Sequence, residues 1–299
     1  MRSMRVLFCI AVMVFAAGQL SAGIGPKHWF VSSTGVDPDC TLDKPCNAWQ
    51  TAVTLASTGD EITALNSGDF GDIDMEAGHA VLIDAGGSDA GVLAGTVVIH
   101  IADNESAILR GLDLNGSSLP GTSVGITFSK GNNLVIEDCE IQNYGKRGIS
   151  IESATTVANV FIGNTTVSGQ ANNGIVVVPP VSTKNSVVLD RVRLVGNGNA
   201  GIGVNPRSIV EIRDSVISNN FAQGVLTAGA PVSILNTTVS GNAIGLDANG
   251  GVIRISNVSV WGNTTGLAVA SGGIINSFGN NQLTGNTTAG PSPTSIPLQ

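Results

Sequence analysis

The sequence predicts an all-β fold, a solenoid of short parallel strands laid coil upon coil. Three observations predict it. A motif of the form apolar, x, apolar, x, Asn/Asp, x, x, apolar, x, Gly/Asn, Asn recurs through residues 134–286. A Gly followed by an apolar residue keeps step with it. Within each unit apolar and polar residues alternate, which is the period of a half-buried strand and not of a helix.

The motif reads Val160, Ile162, Asn164, Val167, Gly169, then Val187, Leu189, Leu194, Gly196, Asn197, then Val210, Ile212, Asp214, Ile217, Asn219, Asn220. It continues through Val232, Ile234, Asn236, Val239, Gly241, Asn242 and Ile253, Ile255, Asn257, Val260, Gly262, Asn263 to Phe278, Asn280, Leu283, Gly285, Asn286. One coil earlier stand Leu134, Ile136, Asp138, Ile141 and Asn143. First members at 134, 160, 187, 210, 232 and 253 give spacings of 26, 27, 23, 22 and 21. The Gly-apolar pairs are Gly125-Ile126, Gly148-Ile149, Gly174-Ile175, Gly201-Ile202, Gly224-Val225, Gly245-Leu246 and Gly266-Leu267. Each period has room for about three very short strands joined by turns.

One such coil cannot bury its own apolar side, so it must stack on the next. Stacking pairs parallel strands about 4.8 Å apart and lines up the same inward position of every coil as a column of Val, Ile and Leu. Each side chain so buried contributes roughly 1.5 to 3 kcal/mol. The Asn column 197, 220, 242, 263, 286 falls at a turn, where amides can hydrogen-bond along the stack and tolerate left-handed backbone. It reads as a ladder.

On the coil pattern, the repeated Gly-Ile, the Asn ladder and the stretch 30–56, the chain resembles the right-handed parallel β-helix proteins of the pectate-lyase-like superfold. More closely, it resembles bacterial exported proteins that carry a right-handed β-helix region. The resemblance covers roughly residues 30–299. It implies a single-stranded right-handed parallel β-helix with a short N-terminal capping helix. For function it is unspecific, because the same stack carries lyases, hydrolases, epimerases, adhesins and proteins without known activity.

The chain has 299 residues, 42% hydrophobic and 12% charged, with 39 Gly and one Tyr, which suits one elongated domain and excludes disorder. A net charge of -8 argues against a nucleic-acid partner. Two Arg in residues 1–5, an apolar run over 6–17 and small residues over 18–23 read as a secretory signal peptide, assigned to 1–22. Twelve apolar residues are too few to span a bilayer, so a secreted or periplasmic protein without a membrane span is expected. Cys9 lies in that run without a lipobox.

Residues 23–59 form the expected cap. A strand and turn over 30–35 lead to the loop Cys40-Thr-Leu-Asp-Lys-Pro-Cys46, whose cysteines should pair in an oxidising compartment. A staple is expected there ahead of a metal or redox role. Residues 47–56 show Ala48, Trp49, Ala52, Val53, Leu55 and Ala56 at helical spacing. That helix would lie over the open end of the first coil, which otherwise exposes core and strand edges. Coils fill 60–288, and the Pro- and Ser-rich 289–299 reads as an extended tail or loose cap. Cys139 aligns with Leu112, Thr165 and Val192, as a buried core thiol.

Several motifs carry no chemistry. Gly196-x-Gly198-x-x-Gly201 matches a dinucleotide fingerprint but has no following helix, and the repeat already accounts for its glycines. Asp69-Phe70-Gly71 lacks a kinase context. His28, His79 and His100 show neither ligand nor triad spacing. The hydrolase signatures of the superfold and the pectate-lyase catalytic motif are absent. Asp69, Asp72, Asp74 and Glu76 could hold Ca²⁺, though a solvated turn is the commoner outcome; no cofactor is expected.

What survives is positional. Aligning coils puts Asp113 and Glu140 on neighbouring turns about 5 Å apart, the carboxylate separation of retaining glycosidases. Arg110 and Glu137 share the next outward position, and Lys146 and Arg147 follow in the next turn. Arg110 with Glu137 reads equally well as a surface ion pair, as do Arg191 with Asp214 and Asp190 with Arg213. The favoured reading is a non-catalytic exported scaffold contacting an extended polysaccharide through its outer face. The alternative is a polysaccharide lyase or glycoside hydrolase acting through Asp113, Glu137, Glu140, Lys146 and Arg147. A catalytic face would need a groove walled by long turns; the longest insertions are 115–123 and 178–185. The oligomeric state is not encoded in these patterns.

Overall fold

The computed structural model describes residues 25–36 and 38–297; the leader assigned to 1–22 lies outside the described residues. Each strand has one apolar face to bury and polar edges to pair; the coil turns the face inward and lays every strand parallel on the one a coil earlier. Three parallel sheets of 12, 9 and 9 strands result, here sheets 1, 2 and 3. The chain visits them in turn about nine times. In one circuit Asn133–Glu137 lies on sheet 1, Glu140–Gln142 on sheet 2 and Arg147–Ile151 on sheet 3, and Val157–Gly163 returns to sheet 1. No helix among the described residues is long and apolar enough to cross a membrane.

The expected columns are present up to Ile255, above which Ser277, and not Phe278, takes the next inward place because the last strand ends one residue earlier than the motif implies. Ile136, Ile162, Leu189, Ile212, Ile234 and Ile255 pair successively in sheet 1, and all are buried. Ile141, Val167, Leu194, Ile217, Val239 and Val260 do the same in sheet 2. Cys139 is a buried free thiol, and burial pushes its pKa up to about 12, so it stays protonated and inert.

The turns explain the recurrent spacing of Asn and Gly along the chain. Between sheets 1 and 2 the corner residue is left-handed at Asp138, Asn164, Asp214, Asn236 and Asn257, the residue types whose short polar side chains tolerate that conformation. Arg191 takes the same backbone without that advantage. It also pairs with its neighbour Asp190 at 3.2 Å and not with Asp214, while Asp190 to Arg213 forms as expected at 3.3 Å.

After the corner between sheets 2 and 3 comes the ladder. Asn197 Nδ2 donates to Asn220 Oδ1 at 2.8 Å, Asn220 to Asn242 and Asn242 to Asn263 at 3.0 Å, and Asn263 to Asn286 at 2.9 Å. Each of these acceptors also takes the backbone N–H of the Asn one coil earlier. Gln170 extends the ladder downward, accepting from Tyr144 N at 2.8 Å and donating to Ile141 O at 2.8 Å.

The Gly column and the Asn column turn out to be one feature. A Cβ on Gly224 would stand 2.7 Å from Gly245 O and 3.0 Å from Asn242 Nδ2. The glycine leaves the room that the ladder amide occupies.

At the N-terminal end His28–Val31 adds a strand to Glu61–Ala64, and Cys40 and Cys46 are disulfide-bonded. A seven-residue helix, Trp49–Leu55, buries Trp49, Ala52 and Val53. Trp49 donates through Nε1 to Gly91 O at 3.1 Å and packs against Phe70 with ring centroids 5.1 Å apart. At the other end Thr294–Ser295 pairs with Asn276 and Ser277.

Asp60 ties the N-terminal end together, accepting from Lys27 N at 2.7 Å, Trp29 Nε1 at 3.0 Å and Ser57 N at 2.9 Å. Burial alone would raise its pKa, but these bonds outweigh it and hold the carboxyl below its ordinary 3.8. A depressed pKa contributes stability that is complete above the unfolded value and lost as pH falls through the folded one. Asp60→Asn is therefore expected to lower stability at pH 7 by about 1 to 3 kcal/mol and to lose less than the wild type below pH 4 or so. Parallel urea titrations at neutral and acid pH would disprove the assignment if the two proteins differed equally at both.

Candidate functional site

Asp113 opens the strand Asp113–Asn115 and Glu140 opens Glu140–Gln142, and the two are register partners on sheet 2, about 4.8 Å apart at the backbone. Glu140 is exposed and Asp113 half-buried, with Asp113 Oδ1 buried and lacking a hydrogen-bond partner. Glu137 ends its strand on sheet 1, before the corner at Asp138. It is 3.6 Å from Arg110, which also reaches Asp84 at 3.4 Å. Lys146 is exposed beyond the next corner, and Arg147 begins a strand of sheet 3, where it donates to Ser150 Oγ at 3.1 Å.

Four of the five residues thus fall on three sheets, and Lys146 lies in the turn before the third. Asp113 and Glu140 come together; Glu137 joins Arg110 instead; Lys146 and Arg147 lie around a corner from both. The long insertions sit on opposite edges of sheet 3. Residues 116–123 lead into it and fold onto the next coil, where Gly145 N donates to Ser123 Oγ at 3.2 Å. Residues 178–183 lead out of it.

Sequence reasoning missed the acidic surroundings of Tyr144. Its hydroxyl donates to Gly95 O at 2.9 Å in a buried position. Burial first, then the charges of Asp113, Asp72 and Asp69, push its pKa well above the ordinary phenol range. Asp69 and Asp113 are both register partners of Gly91, which has no side chain to separate them. The loose spacing of the first coils hid that alignment. Asp69 Oδ1 accepts from Gly71 N at 3.1 Å and Leu93 N at 3.0 Å, and Asp72 Oδ1 from Thr96 N at 2.6 Å, so both carboxylates brace turns. Among the described residues no three acidic, histidine or cysteine side chains gather as a metal-ligand set.

Away from this face, a pocket of about 150 Å³ lies between the helix and the first coil, lined by Gln50, Val53, Thr54, Asp74, Glu76 and His79. His79 Nδ1 is 2.7 Å from Ala56 O, and Gln50 holds the Asp74 backbone at both N and O. These contacts fasten the helix to the coil.

No family model matches the chain, and none of the curated proteins does. Solved structures do. Pectate lyase Pel9A superposes with a TM-score of 0.56 at 15% identity, over 92% of this chain and 78% of that one. The A-module of the Azotobacter vinelandii mannuronan C-5 epimerase AlgE4 gives 0.57 at 14%, over 91% and 89%. XylC in complex with xylose gives 0.56 at 10%, over 84% and 68%. With the three parallel sheets and the stacked interior, these likenesses establish the architecture: the chain is a right-handed parallel β-helix of the pectate-lyase-like fold.

Proposed function

We propose that the protein is an exported β-helix scaffold that holds an extended polysaccharide against its outer face without turning it over. The observation that carries this reading is the regularity of the outer surface. Side chains stand in straight files, one per coil about every 4.8 Å, along sheets of 9 to 12 strands. Such a surface suits a long, repetitive chain better than a compact ligand. The solved neighbours are named for pectate, mannuronan and xylose, which supports a saccharide partner. The disulfide favours an oxidising compartment and so an exported protein. The helix Trp49–Leu55 is assigned the role of covering the first coil.

A second reading has one observation in its favour: the unpartnered Asp113 Oδ1 beside Glu140. On that reading the protein is a polysaccharide lyase or hydrolase, with Glu137, Lys146 and Arg147 assisting. The protein, incubated with neutral and uronate polysaccharides, is expected to retain at least one of them and release no reducing or unsaturated ends. Release that Glu140→Gln abolishes would overturn the scaffold reading in favour of the second.

A further inference from the structure

Two aromatic side chains stand in solvent where the repeat does not call for them. Phe221, directly after the ladder residue Asn220, is 82% exposed, and Trp261, at the end of the sheet 2 strand Ser259–Trp261, is 54% exposed. At the position of Phe221 the coil before has Gly198, whose N–H makes the same bond to the ladder carbonyl beneath. Leaving a phenyl ring in water there brings no gain to the fold.

The two rings share one edge of the solenoid. Ser218, Ser240 and Trp261 are successive register partners, and Phe221 follows Ser218 around the corner. Trp261 is therefore two coils above Phe221, roughly 9.6 Å along the axis. With the further offset of Phe221 across the corner, where Thr264 is its counterpart in the Trp261 coil, the rings are at least a disaccharide apart along an extended glycan. Around them the outward side chains of sheet 2 and its corner are small, hydroxyl-bearing or amide, with Val216 the exception, and residues 215–223, 237–244 and 258–266 contain no charged residue. The acids of sheet 2, Asp69, Asp113 and Glu140, stand on strands three or more coils below that of Ser218.

We propose that this edge is a binding strip for a neutral, extended glycan, with Phe221 and Trp261 stacking on the C–H faces of alternate pyranose rings. An aromatic face suits the apolar side of a sugar ring, and Ser218, Ser240 and Thr264 supply hydroxyls for its polar rim. Within the strip a uronate chain finds no cation, Arg193 standing one coil below it as the register partner of Val216, and it meets a protein of net charge -8. The inference rests on the polysaccharide reading above and narrows it to a place and a chemical class.

The test is affinity electrophoresis and calorimetry with xylan and a neutral β-glucan against polygalacturonate and alginate, at low and high salt. Wild type, Trp261→Ala, Phe221→Ala and Trp261→Phe are compared, with unfolding midpoints measured to confirm the fold. Binding of a neutral glycan, insensitive to salt, is expected to weaken roughly tenfold in each alanine variant and to persist in Trp261→Phe. Neutral-glycan binding unchanged in both alanine variants overturns the strip and leaves the scaffold reading standing, as does salt-sensitive binding confined to uronates. Retention of no polysaccharide by the wild type overturns both. A concentration-dependent dimer abolished by the double alanine variant, seen by sedimentation, would instead make this edge a self-interface and overturn the glycan strip.

Discussion

Asn220→Ala is expected to cost about 4 kcal/mol of folding stability, although it deletes only one small polar side chain. Asn220 Oδ1 accepts from Asn197 N at 3.1 Å and Asn197 Nδ2 at 2.8 Å, while its own Nδ2 donates to Leu194 O at 3.1 Å and Asn242 Oδ1 at 3.0 Å. Alanine leaves two donors and two acceptors of neighbouring coils short of a partner in a dry corner. An unsatisfied buried group costs about 1 to 3 kcal/mol, and the network polarises its members beyond the pairwise sum. Asn286→Ala, at the upper end of the ladder, should cost only about 1 to 2 kcal/mol, since nothing above it is orphaned. Urea unfolding, with hydrogen exchange at the amides of Asn197 and Asn220, measures both. Equal losses for the two variants would mean that the ladder adds nothing to the packing around it.

Gly224→Ala comes next, at about 3 kcal/mol. Its new methyl would stand 2.7 Å from Gly245 O, 2.7 Å from Val239 Cγ1 and 3.0 Å from Asn242 Nδ2. The carbonyl belongs to the paired backbone and cannot yield without breaking the ladder of sheet 3. Because part of the clash is with the amide, the same substitution made in an Asn242→Ala protein should cost at least about 1 kcal/mol less. Strict additivity in that double-mutant cycle would refute the claim that the two columns share one space.

The interior register could be read from the chain because alternation leaves no freedom. A slip of one residue would turn Ile162, Leu189, Ile212 and Ile234 outward together. The ladder was legible over Asn197 to Asn286 for a similar reason: one residue type recurs at one place in the period. Below Asn197 the same role passes to Gln170, whose side chain is longer and whose coil has a different length, and the residue-type signal disappears. The Asp113–Glu140 pairing was legible because both open strands of one sheet, but the partner of Arg191 was not. A flexible side chain at a corner chooses among several carboxylates by a few tenths of an ångström, and no spacing rule specifies that choice.

By itself the sequence determined that this protein is a stack of parallel strands with an apolar interior, an amide ladder at one corner and a cysteine loop at its start, because each follows from a repeat that only stacking can bury. The tertiary structure alone decided that the candidate acids and bases face three different directions. It also brought Asp69 and Asp113 to the same glycine, and placed Phe221 and Trp261 in solvent on one edge. Those relations depend on how each coil turns its corners and on the rise from coil to coil, and they join residues that no local pattern connects.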